Sequence, residues 1–178
     1  GTRAITRSAS GRLVLKSPQH SFRIPVLAQM FPQARFVQIV RDPYVIYSST
    51  MHFWTTTYEQ FGLQAPPFAD VEEMVLDTFV RMHDALAAAS AGLPAARFAE
   101  IRYEDLVADP VEQVAALYDR LELGSLEPAR GAIAAYCEQN RTYQTNRYEL
   151  TLAETESITA RWRKYVERQG YAVRMPPA

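Results

Sequence analysis

The chain has 178 residues, a formal net charge of −1 and a single cysteine, Cys137. That length suits one globular domain or most of one, and the near-neutral charge argues against a general nucleic-acid binder, which needs a basic excess. One cysteine excludes an intrachain disulfide framework and a cysteine-rich metal site, and no apolar run approaches the roughly 20 residues that span a bilayer. No secretory signal is visible at the start, so the reducing cytoplasm is the expected compartment.

Two strand-to-helix transitions follow one another in the first third of the chain. A short apolar run at about 12–16 ends in Lys16, and a second run at 35–40 is followed by Arg41. Short apolar runs separated by a helix-length segment predict a βαβ unit with parallel strands. Ligands of open α/β sheets bind at the carboxyl ends of the strands, so we expect Lys16 and Arg41 at the same edge. Two cations beside two helix N-termini predict a site for a multiply charged anion.

Helix-start signals and apolar spacing predict the remaining elements. Ser17-Pro18 supplies a cap and a first-turn proline for a helix that ends near Phe31. Two further helices are expected from Asp42-Pro43 to a helix-breaking segment at 64–67, and from a cap at Asp70 to about Ala91. A third strand is expected at 98–102. Three more helices are expected after it: one that starts at Asp109-Pro110, one at about 127–139, and one from a capping box at Thr151–Glu154 to Gly170. No linker divides the chain, so we expect one α/β domain over residues 1–178 with a helical part from about 110.

Arg41 and Ser49 are candidates for binding a phosphate. Arg41 follows a predicted strand directly, and Ser49 lies two helical turns into the next element. A guanidinium grips phosphate bidentately, and a hydroxyl adds a further donor. The alternative is that Arg41 pairs with Asp42 or another neighbour and that Ser49 is a small packing residue, because an Arg-Asp-Pro sequence is common by itself.

The wider context of these residues is more specific. The run LVLKSPQHSFRIPVLAQMFPQARFVQIVRDPYVIYSSTMHFW strongly resembles the sulfotransferases that use 3′-phosphoadenosine 5′-phosphosulfate (PAPS), above all a mostly bacterial branch with an LKSPxH…FPxARFVxxxRDPxxxxxS pattern. A second stretch, IRYEDLVADPVEQVAALYDRLEL, is similar to the family's YEDL…DP segment. The likeness covers most of residues 12–171 and is weakest at 55–95. It implies an α/β, P-loop-type three-layer fold with a central parallel sheet flanked by helices.

The resemblance also implies a reaction and a set of partners. PAPS would donate a sulfonate group to a hydroxyl or amine of a small-molecule, glycan or peptide acceptor, and no metal would be required. Arg41 and Ser49 would bind the 3′-phosphate of the donor, and Tyr103 would lie near the adenine. Arg147, in a polar loop before the last helix, would be a further cation over the 3′-phosphate; the alternative is an ordinary solvated arginine on a surface loop.

Lys16 and His20 are the candidates for the chemical step. Sulfuryl transfer needs a base for the acceptor hydroxyl and cations for the charge that builds on the sulfonate. Cytosolic members of the family carry a Lys and a His close together after the matching strand, which implies a sulfonate role for Lys16 and a base role for His20. Three residues separate the two here, a distance that one helical turn spans. The alternative for His20 is a first-turn helix residue that is hydrogen-bonded locally.

One element of the family pattern is missing from this sequence. Family members have a glycine-rich strand-loop-helix resembling PRSGTT that holds the 5′-phosphosulfate through backbone amides, and none of the seven glycines lies in such a loop. We therefore expect the C-terminal part of a sulfotransferase, incomplete at its N-terminus through truncation, a fragmentary gene or a second chain that carries the rest. A non-catalytic nucleotide-binding or interaction module derived from this fold is the main alternative. A kinase-like P-loop enzyme is a weaker one, because its Walker loop and Mg²⁺ ligands are not visible.

Overall fold

The computed structural model describes residues 12–63, 68–142 and 148–174. Two strands and seven α-helices are present in these ranges: α1 (Ile24–Met30), β1 (Phe36–Val40), α2 (Pro43–Phe61), α3 (Phe68–Ala91), β2 (Phe98–Arg102), α4 (Tyr103–Ala108), α5 (Pro110–Arg120), α6 (Glu127–Gln139) and α7 (Leu152–Arg168). Short 3₁₀ turns at Pro18–Phe22 and Ala95–Arg97 precede α1 and β2. The described chain is therefore a mostly helical α/β structure with a small parallel sheet.

The sheet sets the position of the site. β1 pairs with β2 in parallel, in a register that runs from Phe36 opposite Phe98 to Val40 opposite Arg102. Parallel strands need a long crossover connection, and α2 and α3 supply it here. Since the two strands end side by side, the residues that follow them emerge at the same edge of the sheet.

The predicted strand at 12–16 is not formed. Residues 12–17 contain no strand, Val14 is 89% exposed, and the Arg12 guanidinium donates to the Leu123 carbonyl at 3.0 Å. An apolar run becomes a strand only when a neighbour pairs with its backbone, and within the described residues β1 pairs with β2 alone. Lys16 therefore does not end a strand that pairs with β1, which corrects the predicted βαβ unit.

Two predicted helix starts also differ from the structure. The helix expected from Ser17 to Phe31 is divided into a 3₁₀ turn and α1, because a proline ring at position 25 clashes with the carbonyl four residues earlier and is accepted only in the first turn of a new helix. α3 begins at Phe68, ahead of Asp70, so this carboxylate lies in the first turn near the positive end of the helix dipole instead of capping it.

The other helix starts are confirmed. Asp42 Oδ1 accepts the Tyr44 amide at 2.8 Å, and Asp109 Oδ1 accepts the Glu112 amide at 3.4 Å. At the start of α7, Thr151 and Glu154 form the reciprocal pair of bonds that defines a capping box. Each cap satisfies backbone donors that the helix itself leaves free.

The main core lies between α2, α3 and α7 on one face of the sheet. Trp162 of α7 is buried, stacks on Phe79 with 3.7 Å between ring centres, and donates its indole N–H to the Leu76 carbonyl at 3.0 Å. On the opposite face, β2 contacts α5 and is buried, whereas Val37 and Ile39 of β1 are 47% and 56% exposed. One half of that sheet face is therefore uncovered in the described chain.

His83 of α3 is enclosed by aromatic rings of this core. Its ring centre lies 4.3 Å from that of Phe79 and 4.2 Å from that of Tyr165. Burial, with a smaller effect of the Arg168 charge, lowers the pKa of His83 to about 4. The imidazole is therefore neutral in the folded protein at pH values where an unfolded histidine is already protonated.

We expect this difference to destabilise the protein in mild acid. Between about pH 6.5 and pH 4, His83 binds a proton in the unfolded state but stays neutral in the folded state. As the pH decreases through this range, the free energy of unfolding therefore decreases by on the order of 2–3 kcal/mol. Denaturant unfolding at pH 7, 5.5 and 4 measures this for the unmodified protein and for His83→Gln, with His52→Gln on the exposed side of α2 as control. The difference in free energy of unfolding between the unmodified protein and His83→Gln should become smaller as the pH decreases. A difference that stays constant would contradict the lowered pKa of His83.

Candidate functional site

Arg41 and Tyr103 meet at the carboxyl edge of the sheet. They are the first residues after β1 and β2, and the guanidinium carbon of Arg41 lies 4.1 Å from the centre of the Tyr103 ring. A guanidinium over a phenol face is a cation–π contact. Both side chains are half-buried. The structure thus brings together a cation and an aromatic ring that the sequence placed 62 positions apart.

The peptide bond that joins Arg41 to Asp42 is hydrogen-bonded at both ends. The Tyr165 hydroxyl of α7 donates to the Arg41 carbonyl at 3.1 Å, and the Asp42 amide donates to Glu104 Oε1 at 3.2 Å. Burial raises the pKa of Tyr165 to about 12, so its hydroxyl remains a donor at neutral pH. The backbone from which Arg41 projects is therefore fixed by two other elements.

Glu104 is held as an acceptor in this network. The Tyr171 hydroxyl donates to its second oxygen, Oε2, at 2.9 Å. Burial alone would raise the pKa of Glu104, but hydrogen bonds from its own amide, Tyr171 and the Asp42 amide outweigh that effect and lower the pKa. The group is a carboxylate at neutral pH, which makes its hydrogen bonds charge-assisted.

The chain after α7 runs across the ends of both strands; we call residues 169–174 the tail segment. The guanidinium carbon of Arg102, the last residue of β2, lies 4.2 Å from the ring centre of Tyr171. The Arg174 guanidinium pairs with Asp42 Oδ2 at 2.8 Å. Neither Tyr171 nor Arg174 belongs to the predicted site, and their contacts join positions too distant for any local sequence pattern to signal.

Ser49 differs from its neighbour Ser48. Ser48 is buried and donates to the Tyr44 carbonyl at 2.9 Å, which is a structural role. Ser49 is exposed on α2, and its hydroxyl forms no hydrogen bond within the described residues. The Ser49 hydroxyl is therefore exposed, whereas the Ser48 hydroxyl is used within the fold.

The region around Arg147 is described only in part. Arg147 itself lies outside the described residues. Its neighbour Tyr148 contacts His52, one helical turn beyond Ser49, with 5.6 Å between ring centres. The chain at Tyr148 thus lies beside the helix that carries Ser49.

Lys16 and His20 lie on the segment before α1. Lys16 is exposed, and His20 belongs to the 3₁₀ turn that packs against α3. The Nδ1 atom of His20 is buried and has no hydrogen-bond partner in the described part of the chain. Among the described residues, no hydrogen bond, ion pair or ring contact joins either side chain to Arg41 or Tyr103. The structure therefore groups Arg41 with Tyr103 and places Lys16 and His20 on a separate element.

No group of three or more His, Cys, Asp or Glu side chains among the described residues could hold a metal ion. None of the helices described here combines the length and apolar composition that crossing a membrane requires.

The fold and the site define an α/β protein with a cationic, aromatic site at the ends of parallel strands. Residues 2–128 match the model of the sulfotransferase family, and the chain belongs to that family. Two curated relatives, each named omega-hydroxy-beta-dihydromenaquinone-9 sulfotransferase Stf3, come from Mycobacterium bovis and Mycobacterium tuberculosis. Each is 40% identical over 159 residues, which are 89% of this chain and 41% of the relative. The chain thus spans less than half the length of the curated relatives that it matches.

Two solved structures share the fold. The sulfotransferase STF9 from Mycobacterium avium superimposes with a TM-score of 0.76 at 19% identity, over 97% of this chain and 45% of that one. The sulfotransferase domain from the curacin biosynthetic pathway gives a TM-score of 0.54 at 19% identity, over 97% of this chain and 68% of that one. At this level of identity the likeness concerns the fold alone.

Proposed function

We propose that this chain belongs to a PAPS-dependent sulfotransferase, in which it binds the nucleotide end of the donor. The reaction moves a sulfonate group from PAPS to an acceptor hydroxyl or amine and releases adenosine 3′,5′-bisphosphate. Family membership supports the class of reaction. The contact between Arg41 and Tyr103 carries the proposal for the site, because it offers a phosphate ligand beside an aromatic face.

In this proposal Arg41 and Ser49 bind the 3′-phosphate, Tyr103 packs on the adenine, and Arg147 adds a further cation. The competing idea that Arg41 is neutralised by Asp42 is not favoured, because Asp42 pairs with Arg174 instead. Arg41 itself forms no ion pair within the described residues, so its charge is available to a ligand. The exposed hydroxyl of Ser49 supports its part in the same site.

Lys16 and His20 serve the transfer step in this proposal. Sulfuryl transfer is an in-line displacement that, like phosphoryl transfer, depends on positioning and electrostatics. His20 accepts the proton of the acceptor hydroxyl, and Lys16 offsets the charge that develops on the sulfonate. The Nδ1 atom of His20 has no hydrogen-bond partner in the described part of the chain, and a catalytic role is one of the explanations for such an atom.

The acceptor in this proposal is a hydroxyl on an apolar, isoprenoid-like molecule. The names of the two curated relatives point to an omega-hydroxy menaquinone as their acceptor. In this chain the second half of α2, beyond Ser49, carries exposed aromatic side chains, with Phe53 at 59% and Phe61 at 77% exposure. Exposed aromatic side chains on the helix that carries Ser49 offer contacts for an apolar acceptor.

The loop that holds the 5′-phosphosulfate is proposed to come from a segment outside these 178 residues, in cis or on a partner chain. None of the seven glycines occurs in a strand-loop-helix pattern of the required kind. The uncovered face of β1 at Val37 and Ile39 also supports a further segment, because the faces of parallel sheets are normally both covered. The same missing loop favours the second candidate function, a nucleotide-binding module without catalysis.

Substitution of Arg41 tests the nucleotide site. We expect Arg41→Ala to weaken binding of adenosine 3′,5′-bisphosphate by about 1.5–3 kcal/mol, or roughly 10- to 150-fold, because a charge-assisted pair with the 3′-phosphate is lost. Affinity for AMP, which lacks that phosphate, should change little. Calorimetry on the whole protein measures both, with Arg163→Ala on the exposed side of α7 as the matched control. Unchanged bisphosphate affinity in Arg41→Ala would remove Arg41 from the site.

A further inference from the structure

We propose that the tail segment positions Arg41 for the 3′-phosphate, with Tyr171 and Arg174 as its two positioning residues. The inference rests on the function proposed above, since the phosphate is the ligand of Arg41 in that proposal. It adds a role for residues that neither the sequence patterns nor the family resemblance singled out.

Tyr171 acts through Glu104. Its hydroxyl donates to Oε2 of Glu104, while Oε1 of the same carboxylate accepts the Asp42 amide. The carboxylate therefore bridges the tail segment to the peptide bond just after Arg41. The ring of Tyr171 is itself held under the Arg102 guanidinium, which fixes the direction of the hydroxyl.

Arg174 acts through the start of α2. Its guanidinium pairs with Asp42 Oδ2, while Oδ1 of that side chain caps the helix at the Tyr44 amide. The Arg174 amide also donates to the Tyr44 hydroxyl at 3.0 Å, and its guanidinium carbon lies 4.7 Å from the Tyr44 ring centre. Tyr44 is fully buried and bonds Thr159 of α7. The tail segment thus ties the turn after Arg41 to a rigid part of the core.

These contacts matter because a bidentate grip on phosphate depends on the direction of the guanidinium. With the peptide bond after Arg41 held by Tyr165 on one side and by Glu104 on the other, the side chain projects from a fixed backbone. Small displacements of a binding group are costly in sites of this kind. Arg174 is 46% exposed, and exposed ion pairs contribute little to global stability, so its loss should be felt at the site more than in the fold.

The test compares Tyr171→Phe and Arg174→Ala with the unmodified whole protein by calorimetry, using adenosine 3′,5′-bisphosphate and AMP as probes. We expect each variant to bind the bisphosphate about 3- to 10-fold more weakly and AMP within about twofold, and we expect Arg174→Ala to leave the melting temperature nearly unchanged. Arg174→Lys should recover most of the loss, since it keeps the pair with Asp42. Tyr136→Phe, on an exposed part of α6, is the matched control and should bind both probes normally.

A double-mutant cycle separates positioning from direct binding. In an Arg41→Ala background, Arg174→Ala should cause no further loss of bisphosphate affinity, because its effect passes through Arg41. An additive loss, or an equal loss for AMP, would overturn the inference. The inference would also be overturned if the unmodified protein prefers the bisphosphate and both variants bind the bisphosphate equally tightly. If the unmodified protein does not distinguish the two nucleotides, the proposed function fails instead.

Discussion

We expect the 178-residue chain on its own to transfer no measurable sulfonate from labelled PAPS to a hydroxyl acceptor. Charge develops around the 5′-phosphosulfate during transfer, and the loss of a single donor at such a position typically costs about 100- to 1,000-fold in rate. No glycine-rich strand-loop-helix pattern that could form this cradle is visible in the sequence. Activity should return when the segment that carries the loop is supplied, either fused to this chain or as a separate chain.

The assay needs a control for folding. The isolated chain should show a cooperative unfolding transition, so that an inactive sample is not simply an unfolded one. Robust transfer by residues 1–178 alone would show that the phosphosulfate site lies within this sequence. Failure to recover transfer with any added segment would instead favour the nucleotide-binding module without catalysis.

The second large effect is expected from His20→Ala in the whole protein. Removal of a general base typically lowers a rate by about 100-fold or more, and the loss should appear in kcat while nucleotide affinity remains nearly intact. Steady-state kinetics with a saturating donor, together with calorimetry for the bisphosphate, separate these two quantities. The unpartnered Nδ1 atom means that the substitution deletes no hydrogen bond to that atom within the described residues.

A neighbour on the same turn provides the control for His20. Gln19 is exposed and its side chain contacts the Ser17 hydroxyl, so Gln19→Ala perturbs the turn without removing the imidazole. Its turnover should stay close to that of the unmodified protein. If His20→Ala retained full turnover, His20 would be a structural residue and the base would have to be sought among carboxylates or in another segment.

Elements with a complete local signal were predicted well from the sequence. β2 and α6 have the predicted bounds, and Asp42 and Asp109 cap the helices that they precede. The run at 12–16 was predicted wrongly because apolar composition does not reveal whether a neighbouring strand is available. The helix predicted from Ser17 to Phe31 is divided into a 3₁₀ turn and α1. To predict this division, the helix-breaking effect of Pro25 would have to be weighed against the favourable helix start at Ser17-Pro18.

Arg41 and Tyr103, which the structure brings together, were indicated by the sequence, but the residues that support them were not. Arg41 follows from the rule that ligands gather at the ends of parallel strands, and Tyr103 from the family resemblance. Their supporting residues reach across the chain: Tyr165 is 124 positions from Arg41, and Arg174 is 132 positions from Asp42. The ring of Tyr165 is buried in the core, and its position in the sequence gives no sign of what its hydroxyl contacts.

The affinity of the unmodified whole protein for adenosine 3′,5′-bisphosphate, compared with its affinity for AMP, tests the central claim most directly. A guanidinium and a hydroxyl placed for the 3′-phosphate should make the bisphosphate bind at least about tenfold more tightly. Calorimetry at one fixed ionic strength gives both constants under the same screening. A clear preference for the bisphosphate is the predicted result, and equal affinity for the two nucleotides would contradict the account.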